Sequence, residues 1–439
     1  MKRFVVPFLL AIAVPVCAQT SPETSGKPAR PTAAASSSSI PARLTLGEAW
    51  ALAEQATPAL RAADAGLRAV EGQLTDAQGL FWNNPQFSTD QARRRAPQPG
   101  AADHRFQEWA IGLSQTFELA GQHGYRRRAA ELELAATREG IAEVRRQVRA
   151  DVELRFSRVL GLQNRIDIER DALKLVEDVA TVVKKRVAAG EDNRLEGNLA
   201  AIEAERARNA LTALQEKLIE ARADLATWLQ LPPGSLPEAS GCVEVVQAAY
   251  TLDTLLTGAG DRPLLRALDL REQAARSRLA LERASTYPDI TVGLATGRDG
   301  PGDARERFNM LTLSIPLPLF KRNATGIGRA TTELTHAQID RQAAERDSQA
   351  RVRALWLRLG SLRERVARLS DSVLPTLNEN QRLSAASYRA GEIGLLQLMV
   401  VNRQVLDARR DYLDVLADYV EARIALEQAA GGLIGKDKQ

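Results

Sequence analysis

Cysteine, histidine and aromatic residues are scarce in this chain. Its 439 residues include two cysteines and three histidines, and aromatic residues make up 5%. One cysteine, Cys17, falls in the N-terminal leader described below, which leaves Cys242 alone and excludes an intrachain disulfide in a processed chain. His104, His123 and His336 are scattered, and no Cys, His or Asp set has ligand spacing, so no resident metal is expected. Enzyme signatures are missing too. Gly326-Ile327-Gly328 is a fragment of a glycine pattern without a βαβ context, and no nucleophile, base and acid set can be assembled. The chain is therefore read as having no cofactor and no catalytic function. The formal net charge of +4 is small for this length, and Lys and Arg interleave with Asp and Glu. That pattern fits solvated helix faces, not a nucleic-acid surface. After the leader no stretch reaches the roughly eighteen apolar residues of a membrane helix. A soluble exported protein and an outer-membrane barrel remain.

What is abundant is helix former. Alanine, leucine, arginine and glutamate dominate, and charged residues make up 26%. The first residues read as an export signal: MKR, then FVVPFLLAIAVPV, then a small-residue cleavage site at Val16-Cys17-Ala18. Residues 1–18 are assigned to that leader. Cys17 also admits lipid attachment, but Val16 stands where such signals carry Gly, Ala or Ser. Residues 19–42 form a low-complexity tether.

The rest of the chain repeats itself. Leu113-Ser114 recurs as Leu313-Ser314, Asn84-Pro85 as Tyr287-Pro288, and Gly190-Glu191 as Gly391-Glu392. The copies lie about 200 residues apart and keep one order, so a unit far longer than the usual repeats is duplicated. The repeats are placed at 43–230 and 263–430, with a linker at 231–262 and a tail at 431–439. Each unit reads as a helix (58–82 and 263–285), a proline-led strand, a polar loop, a returning strand (106–117 and 308–317), and a long helical hairpin broken at glycine.

The strands alternate. Trp109, Ile111, Leu113 and Phe117 share one face, and Glu108, Ala110, Gly112, Ser114 and Thr116 share the other. Leu311, Leu313 and Ile315 repeat the apolar face. Strands of this length can cross a bilayer, and they equally fit a half-buried hairpin in a soluble domain. In the helices, Val352, Leu355, Leu359, Leu362, Val366, Leu369 and Val373 form a narrow seam, as do Leu398, Val401, Val405, Ala408, Tyr412, Val415 and Tyr419. Steps of three and four in alternation are a coiled-coil signature. Ile141, Val144, Val148, Val152, Phe156 and Leu160 form a looser stripe. One helix over 124–186 would span roughly 90 Å, and Pro375 is expected to bend or break its counterpart. Four strands cannot close a barrel, and open edges do not survive in lipid. If the strands are membranous, several chains must share one barrel.

Three stretches carry a family resemblance: ASTYPDITVGL, LTLSIPLPLFKRNATGIGRA, and YRAGEIGLLQLMVVNRQVLDARRDYLDVLADYVEARIALEQAAGG. They resemble the second half of TolC-family outer-membrane efflux proteins. TLGEAWALAEQATPALRAADAGLRAVEGQL resembles that family's mature N-terminus. The resemblance covers about residues 43–432. GLSQTFELAGQHGYRRRAAE and PLPLFKRN look most like the CzcC-type members, which serve heavy-metal pumps of the RND type.

The resemblance implies a mainly α fold with four membrane strands per chain. A homotrimer would form a twelve-stranded barrel among outer-membrane lipid, above an α-helical periplasmic tunnel. It implies two partners, a periplasmic adaptor (membrane fusion protein) and an inner-membrane RND transporter. Trp109, Ile111, Leu113, Phe117, Leu311, Leu313 and Ile315 would face lipid. In PLFKRN the chain would leave the membrane, with Lys321 and Arg322 at headgroup level and Gly326 and Gly328 relaxing the backbone before the helix, as Gly121 and Gly124 would in the first copy. Gly190, Glu191, Gly391, Glu392 and Ile393 at the hairpin tips would contact the adaptor, and the linker and tail would help form a belt round the tunnel. Asp192 and Glu196 would place acidic rings at the entrance. Some relatives carry two aspartates three apart on the last helix. Gln397 and Val400 occupy those positions, so a gate of that kind is not carried over. Two other functions fit the same features: a periplasmic coiled-coil adaptor or scaffold, and a channel for type I protein secretion.

Overall fold

The computed structural model describes residues 43–96, 104–191, 193–241, 251–300 and 305–431. The expected leader and tether, with Cys17, and also Asp192, Cys242 and all but the first residue of the tail, lie outside the described residues. Helix α1 (Leu46–Ala56) opens on a capping box between Thr45 and Glu48. Helices α2 (Pro58–Ala77) and α6 (Pro263–Ala284) both start on a proline, which costs nothing in a first turn. A short strand β1 (Arg43–Leu44) pairs in parallel with β4 (Glu238–Ala239), fastening the start of the first repeat to the linker. Helix α5 (Leu252–Gly260) lies within the linker. Helix α2 stops at Ala77, short of residue 82, where Gly79 follows, and leaves Leu80, Phe81 and Trp82 exposed before the sheet.

The long helices exceed expectation. Helix α3 (Gln122–Ala189) runs for 68 residues, about 100 Å at about 1.5 Å per residue. It contains no proline, and it is flanked by Gly121 at φ 78° and Gly190 at φ 79°. Helix α4 (Arg194–Trp228) returns beside it. In the second repeat α7 (Ala324–Arg368) passes through a π-turn at Leu369–Val373 into α8 (Leu374–Arg389), and α9 (Leu395–Ala429) returns. The π-turn is the answer to Pro375. A proline cannot donate to the carbonyl four residues back and its ring collides with it. The chain widens there, so that the Leu374 N–H reaches the Leu369 carbonyl, and the helix continues instead of breaking. Gly326 and Gly328 do not relax the backbone before α7 as expected; both lie inside it. The left-handed residue at that corner is Asn323, at φ 52°, whose amide donates to the Glu282 carbonyl at 2.9 Å. Gly124 likewise lies within α3, and Gly121 makes the turn.

Strands β2 (Gln86–Ala96), β3 (His104–Phe117), β5 (Ile290–Asp299) and β6 (Glu306–Ser314) form one antiparallel sheet in that order. Strand β6 ends before residue 317 because Pro316 and Pro318 have no N–H for a ladder. Ile315 therefore lies one residue beyond it.

Most of the seam positions read from the sequence lie in or against the cores, and Val373 is exposed. Val148, Val152, Phe156 and Leu160 of α3 meet Leu225 of α4, Leu229 just after it, and Ala49 and Ala53 of α1. Val352, Leu359, Leu362 and Val366 of α7 meet Val415 and Tyr419 of α9. Each fully buried side chain of this size contributes about 1.5–3 kcal/mol. Helix α6 buries mainly alanines (Ala267, Ala274, Ala275, Ala284), and small side chains permit the close approach of its neighbours. At the far end of α9, Gly431 (φ 98°) faces Gly258 of α5 so closely that a Cβ on either would lie 2.5 Å from a backbone oxygen.

Between the helices runs a set of buried ion pairs that the sequence periodicity did not reveal. Arg423 of α9, 8% exposed, donates to Glu153 of α3 at 2.9 Å and to Glu427 at 3.0 Å. Arg410 holds Glu169 through two bonds of 2.5 and 2.7 Å. Arg262, at the start of α6, donates to Glu143 of α3 at 2.8 Å, which also accepts from Arg146 at 2.7 Å. Arg341 of α7 reaches Glu272 of α6 at 2.7 Å. Each joint fixes how far one helix has slid along another, because a shift of one turn would leave a charge buried alone.

Two outcomes follow. Replacing Arg423 with Met removes the cation shared by Glu153 and Glu427, and should cost about 3 kcal/mol. The urea midpoint, followed by circular dichroism in detergent, should fall, and adding Glu153→Gln and Glu427→Gln should recover most of the loss. Glu143 gives a pH dependence. Burial raises its pKa, but Arg146 and Arg262 outweigh burial and hold it below the ordinary carboxylate range. A lowered folded pKa contributes stability above the unfolded value, about 4.3, which is lost as pH falls through it and below. Protection of the amides at the start of α6 should drop below about pH 4, and Glu143→Gln should flatten that dependence.

Candidate functional site: the hairpin tips and the two faces of the sheet

The tips farthest from the sheet are built alike in the two repeats. Gly190 and Gly391 are left-handed, at φ 79° and 78°. The Glu191 N–H donates to the Arg186 carbonyl at 2.9 Å, and the Glu392 N–H to the Ser387 carbonyl at 2.9 Å. This six-to-one closure satisfies carbonyls that a helix end would otherwise leave open. Asn193 then caps α4 by accepting from the Glu196 N–H at 2.9 Å, whereas α9 starts from Gly394 with no side-chain cap. Gly190, Glu191, Gly391 and Glu392 are exposed, and Glu196 and Ile393 are half-buried. The two tips touch. Val183 of α3, Ala200 of α4 and Leu395 of α9 form a small core, and the Arg186 guanidinium lies 5.7 Å over the Tyr388 ring. Beside it Leu195, Leu199, Leu396 and Val400 are exposed. The described tip residues read from the sequence are thus brought together at one end of the molecule, next to exposed apolar side chains.

At the opposite end the ladder register sorts the side chains. Directly paired residues on neighbouring strands share a face. Phe87 pairs with Leu113, Leu113 with Leu294, and Leu294 with Leu311. Val292 pairs with Leu313 and Phe117 with Ile290. One face therefore carries a continuous apolar belt, and Phe87, Leu113, Leu294, Leu311 and Leu313 are each at least 56% exposed. Trp109 and Ile111 lie on the same face and are also exposed. The opposite face is mainly small and polar, with Ser88, Ala110, Gly112, Ser114, Gly293, Ala295 and Thr312 in register, and it also carries Phe106, Phe308 and Met310. There the Thr116 and Thr291 hydroxyls share a hydrogen bond of 2.8 Å. The same face carries Asp90, Glu108, Asp299 and Glu306, with Arg94 paired to Glu108 at 2.9 Å. Of these acids, the alternation in the sequence had singled out Glu108. The others follow from the parity of the partner strands once the pairing is known.

Where the sheet meets the helices, aromatic residues gather. Phe81 packs edge-on to Phe117 at 5.3 Å, Arg126 lies 3.9 Å over Trp82, and Tyr125, Tyr287 and Phe320 are exposed. Aromatic side chains on one level, beside an exposed apolar belt, match the interface girdle of a membrane barrel. Among the described residues no helix is long and apolar enough to cross a membrane.

Comparison with known proteins agrees with this anatomy. The family model described as outer membrane efflux protein matches residues 50–229 and 259–432. The chain is 27% identical to the cobalt-zinc-cadmium resistance protein CzcC of Cupriavidus metallidurans, over 98% of this chain and 100% of that protein. It is 24% identical to the pyoverdine export outer membrane protein OpmQ of Pseudomonas putida, over 85% of this chain and 83% of that one. Among solved structures, the outer membrane protein VceC of Vibrio cholerae superposes with a TM-score of 0.75 at 18% identity, over 88% of this chain and 96% of that chain.

The tip geometry makes a testable claim. Nothing lies within 4 Å of a Cβ built on Gly190 or Gly391, so substitution there meets only backbone strain. Alanine should cost about 1–2 kcal/mol at each tip, and asparagine, which tolerates the left-handed region, much less. Hydrogen exchange of the Glu191 and Glu392 amides should quicken in Gly190→Ala and Gly391→Ala and stay near wild type in the asparagine variants.

Proposed function

From a chain that belongs to the outer membrane efflux protein family, we propose a passive exit duct of a tripartite pump. Three copies share one twelve-stranded barrel. The single observation that carries this reading is the sheet: four antiparallel strands, an exposed apolar belt on one face, a mainly small and polar face on the other, and, among the described residues, no neighbour on the outer side of β2 or β6. Unpaired strand edges are not tolerated in lipid. Strands β6 and β2 run in opposite senses, so β6 of one copy can continue the antiparallel order into β2 of the next. Closure at twelve strands turns the apolar belt to lipid and the polar face to water. The long helices then line a tunnel that extends from the barrel, and the paired tips at Gly190, Glu191, Gly391, Glu392 and Ile393 meet a periplasmic adaptor. An inner-membrane transporter of the RND type supplies the energy.

Heavy-metal cations are the cargo we favour. CzcC, a cobalt-zinc-cadmium resistance protein, matches the chain along its whole length. Asp90, Asp299 and Glu306 are exposed on the face assigned to the lumen, and Glu196 near the entrance adds to the acidic lining. Fixed carboxylates raise the local cation concentration without holding any one ion tightly.

Native mass of the protein extracted by detergent from isolated outer membranes tests the assembly: a trimer is expected, and a monomer in the soluble periplasm would sink it. A deletion strain should lose growth in cobalt, zinc or cadmium and keep it under organic drugs and siderophore load; the reverse would assign another cargo. In planar bilayers the channel should prefer cations, and Asp90→Lys with Asp299→Lys should reduce that preference at unchanged trimer yield.

A further inference from the structure

Polarity is not the only difference between the faces of the sheet; they differ in the sign of their charge. Ladder register places Arg93, Arg95, Arg298 and Arg307 on the face of the apolar belt. Among the described strand residues that face carries no acid, while Asp90, Glu108, Asp299 and Glu306 all lie on the other. Arg298, Arg307 and Arg93 lie close to one level, at the end away from the helices, and Arg95 stands further out along its strand. Arg298 pairs directly with Trp109 and with Arg307, and Arg93 stands one step beyond the pair Gln91 and Trp109. Arg93 and Arg307 are exposed and Arg298 is half-buried. Among the described residues none of these three enters an ion pair.

We propose that this arginine row is a docking collar for phosphorylated lipid of the outer leaflet. The proposal rests on the barrel reading above. Trp109 lies eight steps from Phe117, about 27 Å along a strand at about 3.4 Å per residue. With the usual tilt the belt between them stands about 20 Å high, near the height of a barrel's apolar band. The row therefore falls at the outer lipid interface, where a lipid-facing arginine is nearly free of penalty, unlike one at mid-depth. Arg298 and Arg307 oppose each other directly, and like charges so placed repel unless an anion lies between them. Every cation in the row is arginine, whose planar fork matches a phosphate through two parallel bonds. A surface serving solubility alone would mix both signs. Closure also sets β6 beside β2 of the next copy, which brings Arg298 and Arg307 of one chain to the side of the seam where the next chain's Arg93 stands.

The test uses full-length protein in detergent, titrated with diphosphoryl lipid A and with its dephosphorylated form, and read by native mass spectrometry. Wild type should hold the phosphorylated lipid, inorganic phosphate at the same concentration should not displace it, and the dephosphorylated lipid should bind far more weakly. The variant Arg93→Gln, Arg298→Gln, Arg307→Gln should bind more weakly by about fivefold per arginine, about a hundredfold together. Lys321→Gln with Arg322→Gln, at the other end of the belt, should bind as wild type does. If the glutamine triple does not assemble, the lysine triple decides: it keeps the charge, loses the fork, and should still weaken binding. Equal affinity of wild type and variant, or equal affinity for both lipids, in an intact trimer would overturn the collar and leave the barrel standing. A monomer that binds neither lipid would overturn both.

Discussion

A backbone N–H or C=O in lipid must find a partner within the protein, and this constraint organises the rest of the molecule. Among the described residues one chain supplies four strands to this sheet, with ladders that are complete inside and open at β2 and β6. The belt of Phe87, Leu113, Leu294 and Leu311 stays exposed, and no helix of the described residues covers it. An element so placed asks for copies of itself, and duplication within the chain already answers half of that need by putting two hairpins in one sheet. The long helices then follow as the walls of whatever the closed sheet opens into.

Below the sheet the organising force changes. Coiled-coil seams such as Val352, Leu359 and Val366 pack the helices together, yet a heptad seam tolerates sliding by one repeat. Buried arginine–glutamate joints remove that freedom. Arg423 with Glu153 and Arg410 with Glu169 bind α9 to α3 at separate heights, and a slip would part both pairs at once. Buried ion pairs add little net stability when intact and cost much when broken. Along a helix such as α3, about 100 Å long, that asymmetry favours a fixed alignment of the hairpins from the sheet to the tips.

Much of this was legible in the chain. Repeated punctuation at Gly190 and Gly391 located the hairpin tips, because a left-handed turn between helices needs glycine. Alternation over 109–117 identified the apolar face, because side chains on a strand point to opposite sides in turn. Other features were less visible. Pro375 suggested a break, but the chain had the alternative of one widened turn, and periodicity cannot choose between them. Gly326 and Gly328 drew attention as flexible points, whereas Asn323 makes the corner, since its amide gains a bond to Glu282 that pays for the left-handed backbone. The ion pairs between α3 and α9 join residues more than 240 positions apart, and a solvated glutamate and a buried one look the same in a helix rich in both charges.

The sequence by itself determined the local conformations: which segments are helix or strand, and which residues of a strand share a side. Those depend on near-neighbour sterics and on periods of two and 3.6 that any short stretch carries. Only the tertiary structure decided which carboxylates meet which arginines, and how the faces of four separate strands add up. Parity along one strand is fixed by the backbone, but register between strands is set by pairing across the sheet. It was that pairing that gathered the acids of β2, β3, β5 and β6 on one side and the outward arginines on the other.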